Sequence, residues 1–295
     1  MELVLLKNEN LVQRITVEKV HTTAPLVACD FYIAGIEAGQ EVSGGFQLGR
    51  ILNIDHHAAV DSMARTVSST NLAIDRVRQC GLPAPESRVV ITHTDCDSVL
   101  SAAIMLGRVP PEDILGEAAI AADHTGAENP IADLLQGLQR HRDFELSLHN
   151  LNQLLLGRKV DLLAEEALNE RQRKREQASH VAARFQQEGS LFYLALEEDT
   201  DSEFFPSLLP DAALILVAMP KPHDSRYSYM KLRLGTRAES GFSINDLNVN
   251  SFDPGYGGRW NAGSNKRNGG TLMTIEHYVE ALLRNLECWQ RHKSE

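Results

Sequence analysis

The sequence predicts an α/β protein whose first domain is a mainly parallel sheet flanked by helices and whose second domain is a smaller α/β unit. Two observations lead to this fold class. In the first half, short β-branched runs alternate with helical stretches, which is typical of βαβ units. In the second half, strand patterning returns after a charged stretch at 160–187 that contains neither Gly nor Pro.

The elements of the first half follow in order from their composition. We predict strands in LVACDFYIAG, GRILNIDHH and SRVVITHTDCD, which are apolar, β-branched runs that end in polar residues. We predict helices in SSTNLAIDRVRQCG, with a Ser/Thr start and a Gly stop, and in SVLSAAIMLG, with another Gly stop. EAAIAADHTG is interpreted as one more strand that ends in an acid. Ligands bind at the carboxyl ends of strands in such sheets, so these polar endings are the expected site.

The second half begins with the charged stretch, which predicts one long, largely solvated helix. Three strands are predicted after it, in SLFYLALEE, AALILVAMP and YSYMKLRLGT. A glycine-rich loop, FDPGYGGRWNAGSNKRNGGT, and a closing helix, TIEHYVEALLRNLECWQRH, complete the chain. We therefore place a first domain at 1–160, a linker helix at 161–188 and a second domain at 189–295, joined through that helix.

Composition limits the classes of function. Of the 295 residues 43% are hydrophobic and 23% charged, as in ordinary globular proteins. A net charge of −11 argues against a long nucleic acid as ligand, but metal ions could neutralise a local site for a short anionic substrate. No apolar run approaches the roughly 20 residues of a membrane helix and no signal-peptide pattern begins the chain, so we expect a cytoplasmic protein without a membrane partner. The four cysteines form no CxxC pair, which favours reduced thiols.

Four acid-bearing segments of the first half predict a metal centre. Hard divalent cations prefer carboxylate oxygen, and imidazole adds affinity for Mn, Fe or Zn. Alternate residues of an extended D-x-D segment point the same way, so both carboxylates can reach one ion or straddle two. Each segment alone is more typical of a turn or a helix cap, but together they favour one metal cluster. The segments contain Asp30; Asp55, His56 and His57; His93, Asp95 and Asp97; and Asp123 with His124.

The combination of NIDHH, THTDCDS and AADHTG resembles the motifs of the DHH phosphoesterase superfamily. This superfamily includes RecJ-like exonucleases, small-oligonucleotide hydrolases, cyclic-dinucleotide phosphodiesterases and class C-like pyrophosphatases. The resemblance implies a first domain that holds two metal ions, usually Mn²⁺, with Mg²⁺ or another divalent ion as an alternative. It also implies a smaller DHHA1 domain that closes over the substrate. By this resemblance His57 lies beside the scissile phosphate and acts in catalysis with Asp95, and the metal ligands are Asp30, Asp55, His56, His93, Asp95, Asp97 and Asp123.

The order of the motifs departs from the family, because DHH comes before HTDCD here rather than after it. The first part of the chain therefore looks circularly permuted. If the strands reassemble in the same spatial order, the strand that ends at Asp55 should lie beside the strand that ends at Asp95. Ser98 stands where the family usually has glycine, which we interpret as a small change.

The segment GYGGRWNAGSN resembles the glycine-rich GGGHxNAAG segment of DHHA1 domains, with arginine where the family usually has histidine. Small residues let a backbone approach a phosphate closely, and arginine adds a permanently charged fork. The simpler alternative is a flexible loop with solvated Lys266 and Arg267. We expect substrate binding by Gly257, Gly258, Arg259 and Asn261. Arg233 and Arg237 are weaker candidates, and Trp260 is a candidate either for stacking on a base or for packing.

Together these features predict a metal-dependent phosphoesterase. Its expected substrate is small, such as a short oligonucleotide, a dinucleotide or pAp, and a homodimer is compatible with the sequence. Two alternatives stay open at this point. One is a hydrolase similar to inorganic pyrophosphatases, and the other is a regulatory protein that binds metal or nucleotide without turnover.

Overall fold

The computed structural model describes residues 1–6, 24–58, 60–197 and 201–294. It divides into two compact units. Unit 1 contains Met1–Asp123 and Glu128–Gln172, and unit 2 contains His124–Ala127 and Arg173–Glu295. The division at 172/173 falls inside the longest described helix, Leu162–Ala182. The finer boundaries at 160/161 and 188/189 stay a prediction.

The sheet of unit 1 is mixed. Its described strands run in the spatial order β1-β6-β2-β5-β4-β3, with bounds β1 Glu2–Leu5, β2 Leu26–Cys29, β3 Gln40–Val42, β4 Gly45–Leu48, β5 Ile51–Ile54 and β6 Arg88–Ile91. β1, β6, β2 and β5 are parallel, whereas β4 and β3 join β5 as an antiparallel hairpin. Gly44 permits the tight hairpin turn, because its φ is +85° and a Cβ there would lie 2.6 Å from the Leu72 carbonyl oxygen. The predicted parallel arrangement is therefore confirmed for β2, β5 and β6, whereas β1 and the antiparallel hairpin were not predicted.

The helices of unit 1 largely follow their sequence signals. The helix after β5 begins behind Ser68, which forms a capping box with Asn71, and it ends at Gly81, as predicted. The helix after β6 begins at its N-cap Asp95, whose side chain accepts from the Ser98 N–H. The bounds are α1 Ser69–Cys80, α2 Cys96–Met105, α3 Asp113–Ile120, α4 Pro130–Leu138, α5 Phe144–Leu155 and α6 Leu162–Ala182.

The segment EAAIAADHTG is helical, so its interpretation as a strand is wrong. α3 continues into a π-helical turn at Ala121–Thr125. Alanine is the strongest helix former, and its frequency here outweighs the apolar run as a strand signal. Asp123 therefore lies at the carboxyl end of a helix and not at the end of a strand.

The order of the parallel strands also differs from the expectation. β5, which precedes Asp55, and β6, which precedes Asp95, are not neighbours, because β2 pairs in parallel with both. The prediction that these two strands lie side by side is wrong. The consequence is that Asp30, which follows β2, occupies the middle of the carboxyl edge of the sheet.

Unit 2 contains a second mixed sheet, in the order β11-β12-β10-β9-β8-β7. Only β8 and β9 are parallel among its described strands. The closing helix packs on this sheet through buried Tyr278, Val279 and Leu282. None of the described helices is both long and apolar enough to cross a membrane. The bounds are β7 Gln186–Glu188, β8 Leu191–Ala195, β9 Leu214–Pro220, β10 Ser228–Leu234, β11 Gly257–Gly258, β12 Ala262–Ser264, α7 Phe205–Leu208 and α8 Ile275–Ser294.

Candidate metal centre

Asp30 is the central residue of the carboxyl edge in unit 1. Its side chain is 1% exposed, and its N–H donates to the carbonyl of Ile54 at 2.9 Å. Its φ of +58° lies in the left-handed region, which aspartate tolerates better than most residues. The chain therefore turns sharply at the end of β2, and the carboxylate stays buried.

The two oxygens of Asp30 face different histidines. Oδ1 lies 3.8 Å from Nε2 of His56 and 3.7 Å from Nδ1 of His57. Oδ2 lies 3.2 Å from Nε2 of His93. One carboxylate is thus shared between two sets of potential metal ligands.

The first set combines Asp30 with His93 and Asp95. Nε2 of His93 lies 3.1 Å from Oδ2 of Asp95. The other oxygen of Asp95, Oδ1, accepts from the N–H of Ser98 at 3.0 Å and so caps α2. Capping therefore leaves Oδ2 as the oxygen that faces the histidine.

The second set combines His56 with Asp97 and Asp123. Nδ1 of His56 lies 2.7 Å from the carbonyl oxygen of Val67, which can only accept, so Nδ1 carries a proton. Nε2 then points at carboxylates, 3.6 Å from Asp97 Oδ2 and 3.2 Å from Asp123 Oδ2. A histidine held by a backbone carbonyl through its other ring nitrogen is typical of metal ligation.

Asp97 is held by the first turn of α1. Its Oδ2 accepts from the N–H of Ser69 at 2.7 Å, and its Oδ1 accepts from the N–H and the hydroxyl of Thr70 at 2.7 and 2.6 Å. A helix amino terminus favours negative charge. Sequence reasoning missed Ser69 and Thr70 as parts of this centre. The available signal is the Ser/Thr start of the helix, and it indicates a helix cap.

The electrostatics of the centre fit a divalent cation. Burial raises the pKa of Asp97 well above its usual value, and the nearby carboxylates of Asp30 and Asp123 raise it further. Burial also opposes ionisation of Asp30, but His93, His57 and His56 outweigh it and lower the pKa. Several carboxylates thus compete for little positive charge, and a bound dication would relieve their repulsion. Mixed carboxylate and imidazole donors suit Mn²⁺ and related ions.

Asp55 contacts His57 and is absent from the three potential metal-binding groups found among the described residues. Its buried Oδ1 lies 2.6 Å from Nδ1 of His57, while Oδ2 has no hydrogen-bond partner among the described residues. The side chain of His57 is 27% exposed, compared with 1% for His56 and 32% for His93. The third group is made of Asp30, His56 and His57. The predicted role of Asp55 as a metal ligand stays a prediction.

The cysteines nearest the centre, Cys29 and Cys96, are buried thiols. Burial, followed by the surrounding aspartates, raises the pKa of both well above the usual value. They therefore stay protonated and are poor metal ligands. All four cysteines are free, in agreement with the predicted absence of disulfides.

The glycine-rich segment of unit 2 forms a hairpin. β11 pairs with β12, and the N–H of Arg259 donates to the carbonyl of Ala262 at 2.7 Å. Gly258 is required by close packing, since a Cβ there would lie 2.2 Å from the Cα of Gly263, whereas Gly257 faces open space. Arg233 of β10 pairs in register with Ala262. The structure thus brings the predicted residues of this segment together, and their roles in substrate binding stay predictions.

The tip of this hairpin contacts His124 within unit 2. Asn261 is 5% exposed, and its Nδ2 lies 3.1 Å from Nδ1 of His124. The rings of Trp260 and His124 have centroids 6.0 Å apart. The backbone oxygen of Asn261 accepts from Leu234, which ties the tip to β10. These contacts and its burial hold Asn261 in place.

The fold and the candidate metal centre together define a class of protein. It is a two-unit α/β protein with a cluster of carboxylates and imidazoles at the carboxyl ends of its parallel strands. No protein-family model and no curated protein matches the sequence. Among solved structures, the chain is similar to a pGpG-specific phosphodiesterase from Vibrio cholerae, with 11% identity, coverage of 82% of this chain and 92% of that one, and a TM-score of 0.41.

Two further solved structures are similar. One is an exopolyphosphatase-related protein from Bacteroides fragilis, with 14% identity, coverage of 94% of this chain and 75% of that one, and a TM-score of 0.40. The other is the exonuclease RecJ bound to manganese, with 14% identity, coverage of 95% and 79%, and a TM-score of 0.39. At these TM-scores, the functional assignment rests on the geometry of the centre itself.

Proposed function

We propose that this protein is a divalent-metal-dependent phosphoesterase that hydrolyses phosphodiester or phosphomonoester bonds in a small nucleotide substrate by a two-metal mechanism. The observation that carries the proposal is the shared carboxylate of Asp30, which has one oxygen beside His56 and the other beside His93. Paired metal ions that bind both the attacking and the leaving oxygen are a common device of phosphate hydrolysis.

The residues divide between two ions. Asp30, His93 and Asp95 would hold one ion, and His56, Asp97 and Asp123 would hold the other. Asp30 would also reach this second ion, because its Oδ1 lies 3.8 Å from Nε2 of His56. Mn²⁺ is the ion that this donor set fits best, with Mg²⁺ as the alternative. When bound, the ions would supply Lewis acidity that activates water and neutralises charge on the phosphate oxygens.

His57 is proposed to orient the phosphate or the leaving group. Asp55 accepts the proton of Nδ1 and thereby fixes the ring, which leaves Nε2 to hydrogen-bond a substrate oxygen. The side chain of His57 is more exposed than that of His56, which supports contact with a ligand.

The hairpin of unit 2 is proposed to bind a phosphate of the substrate. Gly257 and Gly258 leave the backbone accessible, and Arg259 and Arg233 supply positive charge in a chain whose net charge is −11. This local cationic site supports a small anionic substrate over a long nucleic acid. A cytoplasmic location and a homodimeric state stay predictions.

A substrate panel tests the function. Purified protein with Mn²⁺ is incubated with RNA and DNA 2-mers to 5-mers, cyclic dinucleotides, pAp and pyrophosphate, and the products are separated by chromatography. We expect hydrolysis of a nucleotide substrate that a chelator abolishes and that Asp30→Asn removes. Asp113→Asn is the matched control, because Asp113 is an exposed acid paired with Arg78.

The alternatives predict different outcomes. Phosphate release from pyrophosphate alone, unchanged in Trp260→Ala, would indicate a pyrophosphatase. Binding of nucleotide without any turnover across the panel would indicate a regulatory protein and would contradict the enzyme proposal.

A further inference from the structure

Two buried serine hydroxyls hold the shared carboxylate from opposite sides. The hydroxyl of Ser98, in the first turn of α2, donates to Oδ2 of Asp30 at 2.7 Å. The hydroxyl of Ser69, the first residue of α1, donates to Oδ1 at 3.0 Å. Both serines are fully buried, so neither hydroxyl has bulk water as an alternative partner.

The hydrogen bonds restrict how Asp30 can bind cations. A carboxylate oxygen has two acceptor positions. One position on each oxygen is taken by a serine, so one position per oxygen is left for a metal ion. The surrounding histidines separate these two positions, because His56 and His57 lie beside Oδ1 and His93 lies beside Oδ2.

We propose that Ser69 and Ser98 are positioning residues that dedicate one oxygen of Asp30 to each of two metal ions. Ser98 supports the ion beside His93, and Ser69 supports the ion beside His56. This inference rests on the proposed two-metal function and adds the residues that set the affinity of each ion. It gives Ser98 a role that glycine, with no hydroxyl, could not fill.

A third serine shows that burial alone does not create this contact. Ser101 lies one turn after Ser98 in α2 and is equally buried. Its hydroxyl donates to the backbone carbonyl of Asp97 at 2.6 Å and lies 3.3 Å from that of Ser98. Ser101 thus donates its hydroxyl proton within the helix, as buried serines commonly do, whereas Ser98 donates to the side chain of another segment.

Metal binding by the whole chain tests the proposal without reference to activity. Metal-free protein is titrated with Mn²⁺ by calorimetry, and free Mn²⁺ is followed by its electron paramagnetic resonance signal. We expect wild-type protein to bind two ions. Ser98→Ala and Ser69→Ala should each weaken one ion about 10- to 100-fold, the usual effect of losing a residue that orients a metal ligand. Ser101→Ala is the matched control and should bind as wild type does.

A second ligand change identifies which ion is affected. His93→Gln removes the ion beside His93. Adding Ser98→Ala in this background should change the affinity for the ion beside His56 little. Adding Ser69→Ala in the same background should weaken the remaining ion. Ser98→Gly should behave as Ser98→Ala does, and Ser98→Thr, which keeps a hydroxyl, should restore the affinity.

The outcomes separate this inference from the proposed function. Wild-type protein that binds no Mn²⁺ would refute the proposed function. Two ions in the wild type with unchanged affinity in Ser98→Ala and Ser69→Ala would refute only the positioning role. An equal loss in Ser101→Ala would also refute it, because that loss would report a cavity. If Ser98→Ala does not fold by circular dichroism, Ser69→Ala tests the same idea on the other oxygen.

Discussion

Metal binding should release protons from the histidines of the centre. Burial tends to lower the pKa of His56, but Asp123, Asp97 and Asp30 outweigh it and raise the pKa to about 10. Burial likewise opposes the charge on His93, yet Asp95 and Asp30 raise its pKa to about 11. Both imidazoles are therefore protonated at neutral pH without metal. A metal binds only deprotonated nitrogen, so each ligation must displace a proton.

The number of protons released on metal binding follows from these two histidines. We expect about one proton per histidine, or about two protons per chain, when both ions bind at pH 7.5. The Mn²⁺ affinity should then rise up to about tenfold per pH unit for each displaced proton. Asp97, whose pKa is also raised, can only add to the release.

Stability changes with pH in opposite directions in the metal-free and the Mn²⁺-loaded protein. A raised histidine pKa stabilises the metal-free protein fully below the unfolded value of about 6.5, and this contribution is lost as pH rises through about 10 for His56. Metal binding strengthens over the same range. The difference in Tm between Mn²⁺-loaded and metal-free protein should therefore grow between pH 6.5 and 8.5.

Calorimetry in two buffers with different heats of ionisation measures the proton count directly. His93→Gln is the control, and it should release about one proton fewer than the wild type. An affinity that is independent of pH between 6.5 and 8.5, or binding without proton release, would refute the reasoning.

Three further predictions concern single residues. Asp95→Ala should abolish hydrolysis of the nucleotide substrate found with the panel and lower the free energy of unfolding by about 1 kcal/mol, because the N-cap of α2 is lost. Asp95→Asn keeps a capping oxygen, so it should lose activity with little change in a urea titration. Asp55→Asn should lower kcat about 100-fold or more, because Asp55 orients His57; an unaltered kcat would contradict this role, and a loss of Mn²⁺ affinity in calorimetry would support its predicted role as a metal ligand. Tyr278→Phe removes a buried hydrogen bond of 3.0 Å to Asp253 and should cost about 1 kcal/mol, and an unchanged urea midpoint would argue against that contact.

Local sequence signals predicted those helices and strands that depend on residues close together in the chain. The capping box at Ser68 and the stop at Gly81 defined α1, because cap hydrogen bonds join residues within one turn. The apolar runs before Asp30, Asp55 and His93 predicted three of the strands for the same reason. The local signal failed at Asp123, where an alanine-rich run is both apolar and strongly helical.

The sequence by itself determined the chemistry available to this protein, namely carboxylates and imidazoles placed after buried elements, and the α/β class that brings such endings together. Only the tertiary structure decided which of these groups meet. It placed β2 between β5 and β6, which made Asp30 the shared carboxylate, and it turned Asp55 toward His57. It also recruited the hydroxyls of Ser69 and Ser98. The physical reason is that strand order and side-chain hydrogen bonds depend on packing between residues far apart in the chain, which no local pattern encodes.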